Sequence, residues 1–368
     1  MVQALMEFDR RRQSLLLDGV RYIPADIDGL MARGSGAFPS AVWELLQFLQ
    51  RWFDDSPTLT VHTSGSTGVP KQLTVEKAGM MQSARLTCEA LRLRRGDKAL
   101  LCMNLRYIGA MMVVVRSLVA GLNLIVRPAS GHPLCDVDTP LRFAAMVPLQ
   151  VYNTLHTPVE RHRLEQVETL IIGGGAVDGA LLDAIRLLPG AVYSTYGMTE
   201  TLSHIALRRL NGEEASDYYT PFSSVSLSQS ADGALVIDAP LVCNEVLHTN
   251  DIVHLRADGS FLVVGRRDNI INSGGIKIQA EEVERLLRPL IVGRFVVTSV
   301  PDARLGQAVA LLGEELPDVS RLRREAEAVL PPYHCPRHFC RVEAVPQAGN
   351  GKIDRAACRM LAQQVIRQ

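Results

Sequence analysis

The chain of 368 residues is long enough for two or three domains, and 47% hydrophobic with 21% charged residues is typical of a soluble globular protein. Lysine plus arginine and aspartate plus glutamate each total 39, so no global basic field indicates nucleic acid or an anionic membrane as a partner. The seven cysteines contain no Cys-x-x-Cys pair, and such a dispersed set is typical of reduced thiols, which favours a cytoplasmic location.

The first 58 residues are predicted to be a helical entry to the fold. Ser40 is placed to cap a helix from Ala41 to Phe53, in which apolar residues recur on one face. The apolar run at 15–17 is too short for the hydrophobic region of a signal peptide. Polar residues interrupt the longest apolar stretch, 108–126, so we expect a buried helix and a strand there and no membrane insertion.

The stretch with the clearest chemistry is Thr63-Ser64-Gly65-Ser66-Thr67-Gly68-Val69-Pro70-Lys71, which lies between two segments of strand character. Glycines let backbone N–H groups turn toward an anion, hydroxyls donate further hydrogen bonds, and Lys71 adds a positive charge. These residue types predict a loop that binds a polyphosphate. It is not a Walker A sequence, because Gly65 and Gly68 are too close together and Gln72 follows Lys71. Taken alone, the stretch is also compatible with a Ser/Gly-rich surface linker.

Helix-like and strand-like segments alternate beyond this loop. A helix around 77–93 precedes a buried strand at 99–103, and a long apolar helix reaches Ala120, with Gly121 as its C-cap. Further strands are predicted at 122–126, 144–148, 170–172 and 191–194. Strand–helix–strand units of this spacing predict a parallel sheet covered by helices.

Two of these predicted strands end in sequences suited to a ligand. The strand at 170–172 runs into Gly173-Gly174-Gly175-Ala176; the spacing fails the dinucleotide fingerprint, but a flat ligand can lie against bare backbone there. The strand at 191–194 leads into Tyr196-Gly197-Met198-Thr199-Glu200. From 205 to 264 the pattern is alternating and turn-rich, which predicts a separate β subdomain.

The remaining hundred residues have enough apolar segments for a small α+β domain of their own. They follow Gly265-Arg266-Arg267-Asp268 and contain the stretch Gly349-Asn350-Gly351-Lys352-Ile353-Asp354-Arg355. The acidic helix from Ala280 to Leu287, with Glu281, Glu282 and Glu284, is predicted to have a solvated acidic face.

The order and spacing of the stretches at 63–71, 196–200, 249–251, 265–268 and 349–355 resemble the adenylate-forming superfamily of acyl- and aryl-CoA synthetases, luciferases and peptide adenylation domains. The resemblance covers roughly residues 59 to 360. It implies an α/β protein with a large N-terminal domain of stacked α/β sheets plus the β subdomain (1–267). It also implies a small mobile α+β C-terminal domain (268–368), with a hinge at Asp268.

The same resemblance implies ATP, Mg²⁺ and CoA as ligands. The positions that match its ATP-binding pattern are Thr63, Ser64, Gly65, Ser66, Thr67, Gly68, Lys71, Gly174, Gly175, Ala176, Tyr196, Gly197, Asp251 and Arg266. The loop at 63–71 would hold the β- and γ-phosphates. Tyr196 would offer a ring face to adenine, and Asp251, assisted by Arg266, would accept hydrogen bonds from the ribose. Asn250 departs from the glycine that usually precedes this aspartate.

Three residues are implied to act on the reacting groups. Thr199 would donate to the α-phosphate, and Glu200 would bind Mg²⁺ as a hard oxygen ligand. Lys352 would stabilise charge on both the substrate carboxylate and the α-phosphate. Rotation about Asp268 would then withdraw Lys352 and present the turn that contains Gly274, Gly275 and Lys277 to the pantetheine and a phosphate of CoA.

The chain is short for the superfamily, and the segment after Glu200 is polar. In both features it resembles the o-succinylbenzoate–CoA ligases of menaquinone synthesis. The resemblance makes Arg106, Tyr107, Ser203 and His204 candidate substrate residues. Arg106 would meet the aromatic carboxylate while the succinyl carboxylate is activated. Ordinary structural roles for Arg106, Ser203 and His204 remain equally open.

Two other functions stay open at this stage. The chain could activate a different aromatic or short-chain acid and pass it to CoA or to a carrier protein. It could also be a non-catalytic nucleotide-binding relative, which the presence of Lys71, Glu200, Asp251 and Lys352 disfavours. The sequence does not indicate an oligomeric state.

Overall fold

The computed structural model describes residues 9–62, 72–175, 177, 179–347 and 353–367. Internal contacts divide the chain into two units: unit 1 is Met1–Ser226 with Asp238–Val246, and unit 2 is Leu227–Ile237 with Leu247–Gln368. Among the described residues, no helix is long and apolar enough to span a membrane.

Unit 1 alternates helices and strands along the chain. Its helices are α1 (Pro24–Met31), α2 (Ser40–Phe53), α3 (Lys77–Ala90), α4 (Ile108–Ala120), α5 (Pro148–His156), α6 (Pro158–Leu164) and α7 (Gly179–Ile185). Its strands are β1 (Leu15–Leu17), β2 (Val20–Tyr22), β3 (Thr58–His62), β4 (Gln72–Glu76), β5 (Lys98–Leu101), β6 (Asn123–Val126), β7 (Leu141–Met146), β8 (Val167–Ile172), β9 (Ala191–Gly197), β10 (His204–Arg209) and β11 (Thr220–Pro221).

Most of these strands form one mixed sheet. In the part of the chain that the structure describes, nine strands follow the order β11-β10-β9-β8-β7-β5-β6-β1-β2. The neighbours from β9 to β1 are parallel, whereas β10 and β2 pair antiparallel at either end of this run. β3 and β4 form a separate antiparallel ribbon on the two sides of residues 63–71 in the sequence. The parallel run confirms the predicted strand–helix–strand organisation.

Helix α4 is buried on every side, since each residue from Ala110 to Val119 is buried. It ends at Gly121, whose φ of 66° is the left-handed conformation that a C-cap glycine adopts. The prediction of this cap is therefore confirmed. Arg116 and Ser117 are buried within α4, although their side chains are polar.

The predicted helical entry is wrong for residues 15–22, which form the β1–β2 hairpin. Its two-residue turn is Asp18-Gly19, and both residues have positive φ, 46° and 82°. This is the backbone that two-residue hairpin turns require, and an Asp-Gly pair between apolar segments is its sequence signal. β1 then pairs parallel with β6 and so extends the large sheet.

Unit 2 contains two sheets and three α-helices among its described residues. Its strands are β12 (Ser226–Gln229), β13 (Ala234–Asp238), β14 (Leu247–Leu255), β15 (Phe261–Arg266), β16 (Ile270–Ser273), β17 (Ile276–Gln279), β18 (Phe295–Asp302), β19 (Gly306–Gly313) and β20 (His338–Arg341). Its helices are α8 (Ala280–Leu287), α9 (Val319–Val329) and α10 (Arg355–Arg367). One sheet has the order β12-β13-β14-β15, and the other has β17-β16-β19-β18 with β20 beside β19.

The turn-rich region is organised differently from the predicted subdomain at 205–264. Residues 204–209 form β10 and belong to the large sheet, while the four-stranded sheet is built from residues 226–266. Contacts group that sheet with the fold of residues 270–367. The proposed boundary and hinge at Asp268 stay predictions. The helix predicted from Ala280 to Leu287 is confirmed as α8.

Candidate active site

The carboxyl ends of β7, β8 and β9 meet at one edge of the large sheet. Met146 pairs with Ile172, and Ile172 pairs with Ser194. The Gly173 N–H donates to the Met146 carbonyl at 3.1 Å, so the glycine segment starts directly beside the end of β7. In open parallel sheets this edge is where ligands bind. The structure therefore brings the predicted segments 173–175 and 196–200 to neighbouring strand ends.

Two glycines at this edge are required by the backbone. Gly174 is exposed and has a φ of 78°, which side-chain-bearing residues rarely adopt. A Cβ on Gly197 would lie 2.2 Å from the Ser203 carbonyl oxygen, so a larger residue would push apart β9 and the chain that follows it. Gly174 thus presents exposed backbone at this edge, whereas Gly197 is required by the close approach of Ser203.

The turn from Met198 to Ser203 is shaped by Thr201, which is fully buried. The Thr201 hydroxyl accepts a hydrogen bond from the Met198 N–H at 3.0 Å and lies 2.7 Å from the Ser203 carbonyl oxygen. Leu202 adopts a φ of 64° to complete the turn. As a result Thr199 and Glu200 occupy the outer part of the turn, with Glu200 exposed.

Tyr196 is partly exposed at the end of β9 and packs against a second tyrosine that the sequence did not single out. The rings of Tyr196 and Tyr219 are 5.8 Å apart and inclined by 60°. The Tyr219 hydroxyl is 2.8 Å from the Ser194 hydroxyl, and the Arg208 guanidinium lies 5.3 Å from the Tyr219 ring centre. Tyr219 therefore supports one side of the predicted adenine-contacting ring.

Behind the turn lies a chain of hydrogen bonds that ends at a buried arginine. Arg116 of α4 donates to the Ser203 hydroxyl at 2.7 Å, and the Ser203 hydroxyl is 3.3 Å from His204 Nδ1. His204 Nε2 is 3.1 Å from the Thr87 hydroxyl, which donates to the Ser83 carbonyl. Because Thr87 donates to that carbonyl, it can accept from Nε2–H, which leaves Nδ1 to accept from Ser203.

Burial dominates the electrostatics of this chain. It lowers the pKa of Arg116 to about 10, and burial together with the charge of Arg116 lowers the pKa of His204 well below its ordinary value of 6.5. A neutral His204 agrees with the directions of its two hydrogen bonds, in which Nε2–H donates to Thr87 and Nδ1 accepts from Ser203. Arg116 Nε is buried without a hydrogen-bond partner, and no carboxylate of the described residues forms an ion pair with this guanidinium. Within the described part of the site, the charge of Arg116 is thus not matched by an acidic side chain.

We expect His204 to make the stability of the protein fall at mildly acidic pH. The unfolded histidine takes up a proton near pH 6.5, whereas folded His204 resists it, so the unfolded state binds more protons and unfolding becomes easier as the pH falls. From pH 6.5 to 5.5 this should remove about 1 kcal/mol of stability. Urea unfolding at pH 7.5, 6.5 and 5.5 measures it. In His204→Gln the loss of stability between pH 6.5 and 5.5 should be smaller by that amount. The control His156→Gln, which changes an exposed histidine, should keep the full loss. An equal loss in the unmodified chain and in both variants would contradict the expectation.

Unit 2 holds the predicted ribose residues on adjacent strands. Asp251 of β14 is paired with Arg266 of β15, and Arg266 Nε is 3.6 Å from Asp251 Oδ1. Arg266 also lies 3.4 Å from Asp268, and the Asn250 amide donates to the same Asp268 oxygen at 3.3 Å. The asparagine that departs from the superfamily pattern therefore contacts the predicted hinge residue.

The predicted CoA-binding residues lie in the β16–β17 hairpin, with Gly274 and Gly275 in its turn and Lys277 in β17. Gly274 and Gly275 have φ of 58° and 88°, and Lys277 is exposed beside them. Arg106 and Tyr107 are exposed before α4, so they are not part of the buried chain around Arg116.

Several predicted site residues lie outside the described residues. They are Thr63, Ser64, Gly65, Ser66, Thr67, Gly68, Lys71, Ala176 and Lys352. Their roles stay predictions, as do those of the other site residues. The described part of the site fits the implied ligands: Glu200 offers a carboxylate with no protein partner among the described residues, and Gly174 offers open backbone.

Comparison with known proteins identifies the family. The family model for AMP-binding enzymes matches residues 37–228. A Mycobacterium tuberculosis protein named as a probable 2-succinylbenzoate–CoA ligase is 28% identical over 330 residues, which is 83% of this chain and 84% of that protein. A Dyadobacter fermentans crystal structure of an acyl-CoA synthetase (AMP-forming)/AMP-acid ligase II-like protein is 32% identical, with a TM-score of 0.62, and covers 90% of this chain and 97% of its own.

The fold also matches a structure of o-succinylbenzoate coenzyme A synthetase from Bacillus subtilis, in complex with ATP and a magnesium ion. That match has 22% identity and a TM-score of 0.67, and it covers 81% of this chain and 68% of that chain. The α/β fold class and the resemblance to adenylate-forming enzymes are thereby confirmed. The chain belongs to the family of AMP-binding enzymes.

Proposed function

We propose that the chain is an ATP-dependent acid–thiol ligase that acts on o-succinylbenzoate. In the first half-reaction an oxygen of the succinyl carboxylate attacks the α-phosphorus, the bond between the α-phosphorus and the bridging oxygen breaks, and pyrophosphate leaves. In the second, the CoA thiolate attacks the acyl carbon, and AMP leaves with the electrons of the acyl–oxygen bond. The thiol proton passes to solvent. Relatives of this chain that are named 2-succinylbenzoate–CoA ligases support the assignment.

The burial of Arg116 without an acidic partner among the described residues is the observation that supports this choice of substrate. A buried guanidinium without a carboxylate partner is costly, and an anion that reaches it would relieve that cost. Ser203, which is partly exposed, is hydrogen-bonded to Arg116, so a substrate carboxylate at Ser203 would be one hydrogen bond from the positive charge. Such an arrangement favours an acid with a second carboxylate over a fatty acid. o-Succinylbenzoate is an aromatic acid with two carboxylates.

The remaining residues would position ATP and stabilise charge. Tyr196, backed by Tyr219, would hold adenine, and Thr199 would donate to the α-phosphate. Mg²⁺, held by Glu200, would neutralise charge on the phosphates. Lys352 would stabilise the charge that develops between the carboxylate and the α-phosphorus. Reduced cysteines favour the cytoplasm as the place of this reaction.

A panel of acids tests the proposal. We expect AMP release that depends on ATP, CoA and o-succinylbenzoate, with the CoA thioester detected by mass. Benzoate, anthranilate and fatty acids should give at least tenfold lower kcat/KM, since each lacks a second carboxylate for the Arg116 site. Thioester formation with benzoate or a fatty acid but none with o-succinylbenzoate would contradict the substrate. Carrier-protein acylation without CoA acylation would contradict the acceptor.

A further inference from the structure

Gln150 of α5 is a buried polar residue that the sequence analysis did not single out and that the proposed reaction does not use. It is only 5% exposed. Its amide nitrogen donates to the Cys102 carbonyl and to the Ser130 carbonyl, each at 2.9 Å. Its amide oxygen accepts from the Val147 N–H at 3.2 Å. Both donor protons of this amide are therefore used, together with its oxygen.

The three partners of Gln150 lie beyond the carboxyl ends of three neighbouring strands. Cys102 directly follows β5, Ser130 lies in the chain after β6, and Val147 directly follows β7. In the large sheet, β5 lies between β7 and β6. Buried backbone groups beyond the last paired residues of a strand need other hydrogen-bond partners. Gln150 supplies them, and it thereby joins three strand ends at the edge where β8 and β9 also end.

One of these hydrogen bonds fixes the start of α5. Val147 is the N-cap of the helix, Pro148 is its first residue and Gln150 is its third. A side chain at the third position that accepts from the N-cap N–H holds the entering chain, and a proline at the first position already has a helical φ. The path of the chain through Val147 and Pro148 therefore depends on Gln150.

Val147 and Pro148 pack against the glycine segment that follows β8. A Cβ on Gly175 would lie 3.2 Å from Pro148 Cγ, and a Cβ on Gly174 would lie 3.6 Å from Val147 Cγ1. The backbone at 173–175 has no side chains with which to hold itself in place, because all three residues are glycines. Its conformation therefore depends on its neighbours, and the start of α5 is one of them.

The first glycine of the segment is held by the strands on either side. The Gly173 N–H donates to the Met146 carbonyl at 3.1 Å. The Thr195 hydroxyl donates to the Ile172 carbonyl at 3.2 Å, and a Cβ on Gly173 would lie 2.7 Å from the oxygen of that hydroxyl. The Gly173 amide therefore reports whether the end of β7 and the glycine segment keep their relative positions.

We propose that Gln150 is a positioning residue for the backbone of Gly174 and Gly175, and that it thereby strengthens binding of the nucleotide base. A base that lies on loosely held glycines must order them when it binds, and this ordering costs affinity. A segment that is already held in place avoids that cost. The inference rests on the proposed function only for the contact of this backbone with adenine, so AMP tests it without any acid.

A pair of variants on one helix separates this role from a general role in folding. Gln150→Met keeps the length of the side chain and removes its three hydrogen bonds. The matched control is Asn153→Leu, on the next turn of α5. The Asn153 amide donates at 3.1 Å to the Gly131 carbonyl, next to Ser130. Each variant thus loses an amide that holds the chain after β6, but Gln150→Met also releases the Val147 N–H.

Amide hydrogen exchange tests the structural part. In Gln150→Met we expect the Gly173 amide to exchange severalfold faster than in the unmodified chain, whereas Asn153→Leu should leave its rate unchanged. An unchanged rate at Gly173 in Gln150→Met would overturn the inference. If Gln150→Met does not fold, Gln150→Glu replaces it. That variant keeps an acceptor for the Val147 N–H but turns the two donor positions toward carbonyls into an oxygen, and an unchanged Gly173 rate there would have the same meaning.

Equilibrium binding tests the functional part. By calorimetry we expect Gln150→Met to raise the Kd for AMP about tenfold and to change the Kd for pyrophosphate less than twofold, since pyrophosphate has no base. Asn153→Leu should change neither constant. A purely structural role would lower stability in urea without changing the Kd for AMP of the folded protein, and that result would overturn the inference. An equal weakening of AMP and pyrophosphate would also overturn it, as would an unmodified chain that binds no AMP.

The outcome for Gln150 is distinguishable from the outcome for the proposed function. If the unmodified chain binds AMP but forms no thioester from o-succinylbenzoate, the proposed function fails. The ratio of the Kd values for AMP in Gln150→Met and in the unmodified chain still decides whether Gln150 acts on the base-contacting backbone.

Discussion

Lys352→Ala is expected to lower the rate of adenylation about a thousandfold and to leave the second half-reaction intact. The physical reason is that negative charge builds on the phosphoryl and carboxylate oxygens in the transition state, and removal of one placed donor costs about 10²–10³ in rate. Pyrophosphate exchange with o-succinylbenzoate measures the first effect. The yield of CoA thioester from chemically prepared acyl-adenylate measures the second.

This prediction distinguishes loss of catalysis from loss of folding because the two half-reactions are measured separately. A variant that had merely lost its fold would fail in both, so retained thioester formation is the internal control. Lys352→Arg keeps the charge but not the shape of the ammonium group, and we expect an intermediate loss. Unchanged adenylation in Lys352→Ala would refute the role of the lysine.

Arg116→Met is expected to reduce kcat/KM for o-succinylbenzoate ten- to a hundredfold without reducing stability. Arg116 donates to the Ser203 hydroxyl, at which the substrate carboxylate is proposed to bind, and a hydrogen bond to a charged group contributes about 1.5–3 kcal/mol. By contrast, an apolar side chain of similar length replaces a buried and unmatched charge, a change that is neutral or stabilising in other proteins. Initial rates with o-succinylbenzoate and with benzoate, together with urea unfolding, measure both effects.

Benzoate separates a role in recognition from a role in folding. It lacks the second carboxylate, so its low activity should be the same in Arg116→Met and in the unmodified chain. An equal proportional loss with both acids would assign Arg116 to the structure alone. If Arg106→Met lowers kcat/KM for o-succinylbenzoate and Arg116→Met does not, then Arg106, the residue expected from the sequence, binds the second carboxylate.

The reaction class could be predicted from the sequence because it depends on short stretches whose order is a property of the chain. The segments at 63–71, 196–200 and 349–355 each contain residue types that suit one part of the chemistry. The alternation of strands and helices could also be predicted, because the spacing of apolar residues and helix-capping glycines such as Gly121 are local features of the sequence. The β1–β2 hairpin was missed although its Asp-Gly turn is a local signal.

The partners of buried polar residues could not be predicted in this way. Arg116 interrupts an apolar helix pattern, and periodicity tells which face it occupies but not that Ser203, 87 residues later, meets it. In the same way, the acidic pattern of α8 predicts a solvated face, and only the packing of α10 against β18 brings Arg355 into contact with Glu284. The sequence by itself determined the fold class and the chemistry. The tertiary structure decided which charges are buried together, because such contacts depend on the packing of distant elements.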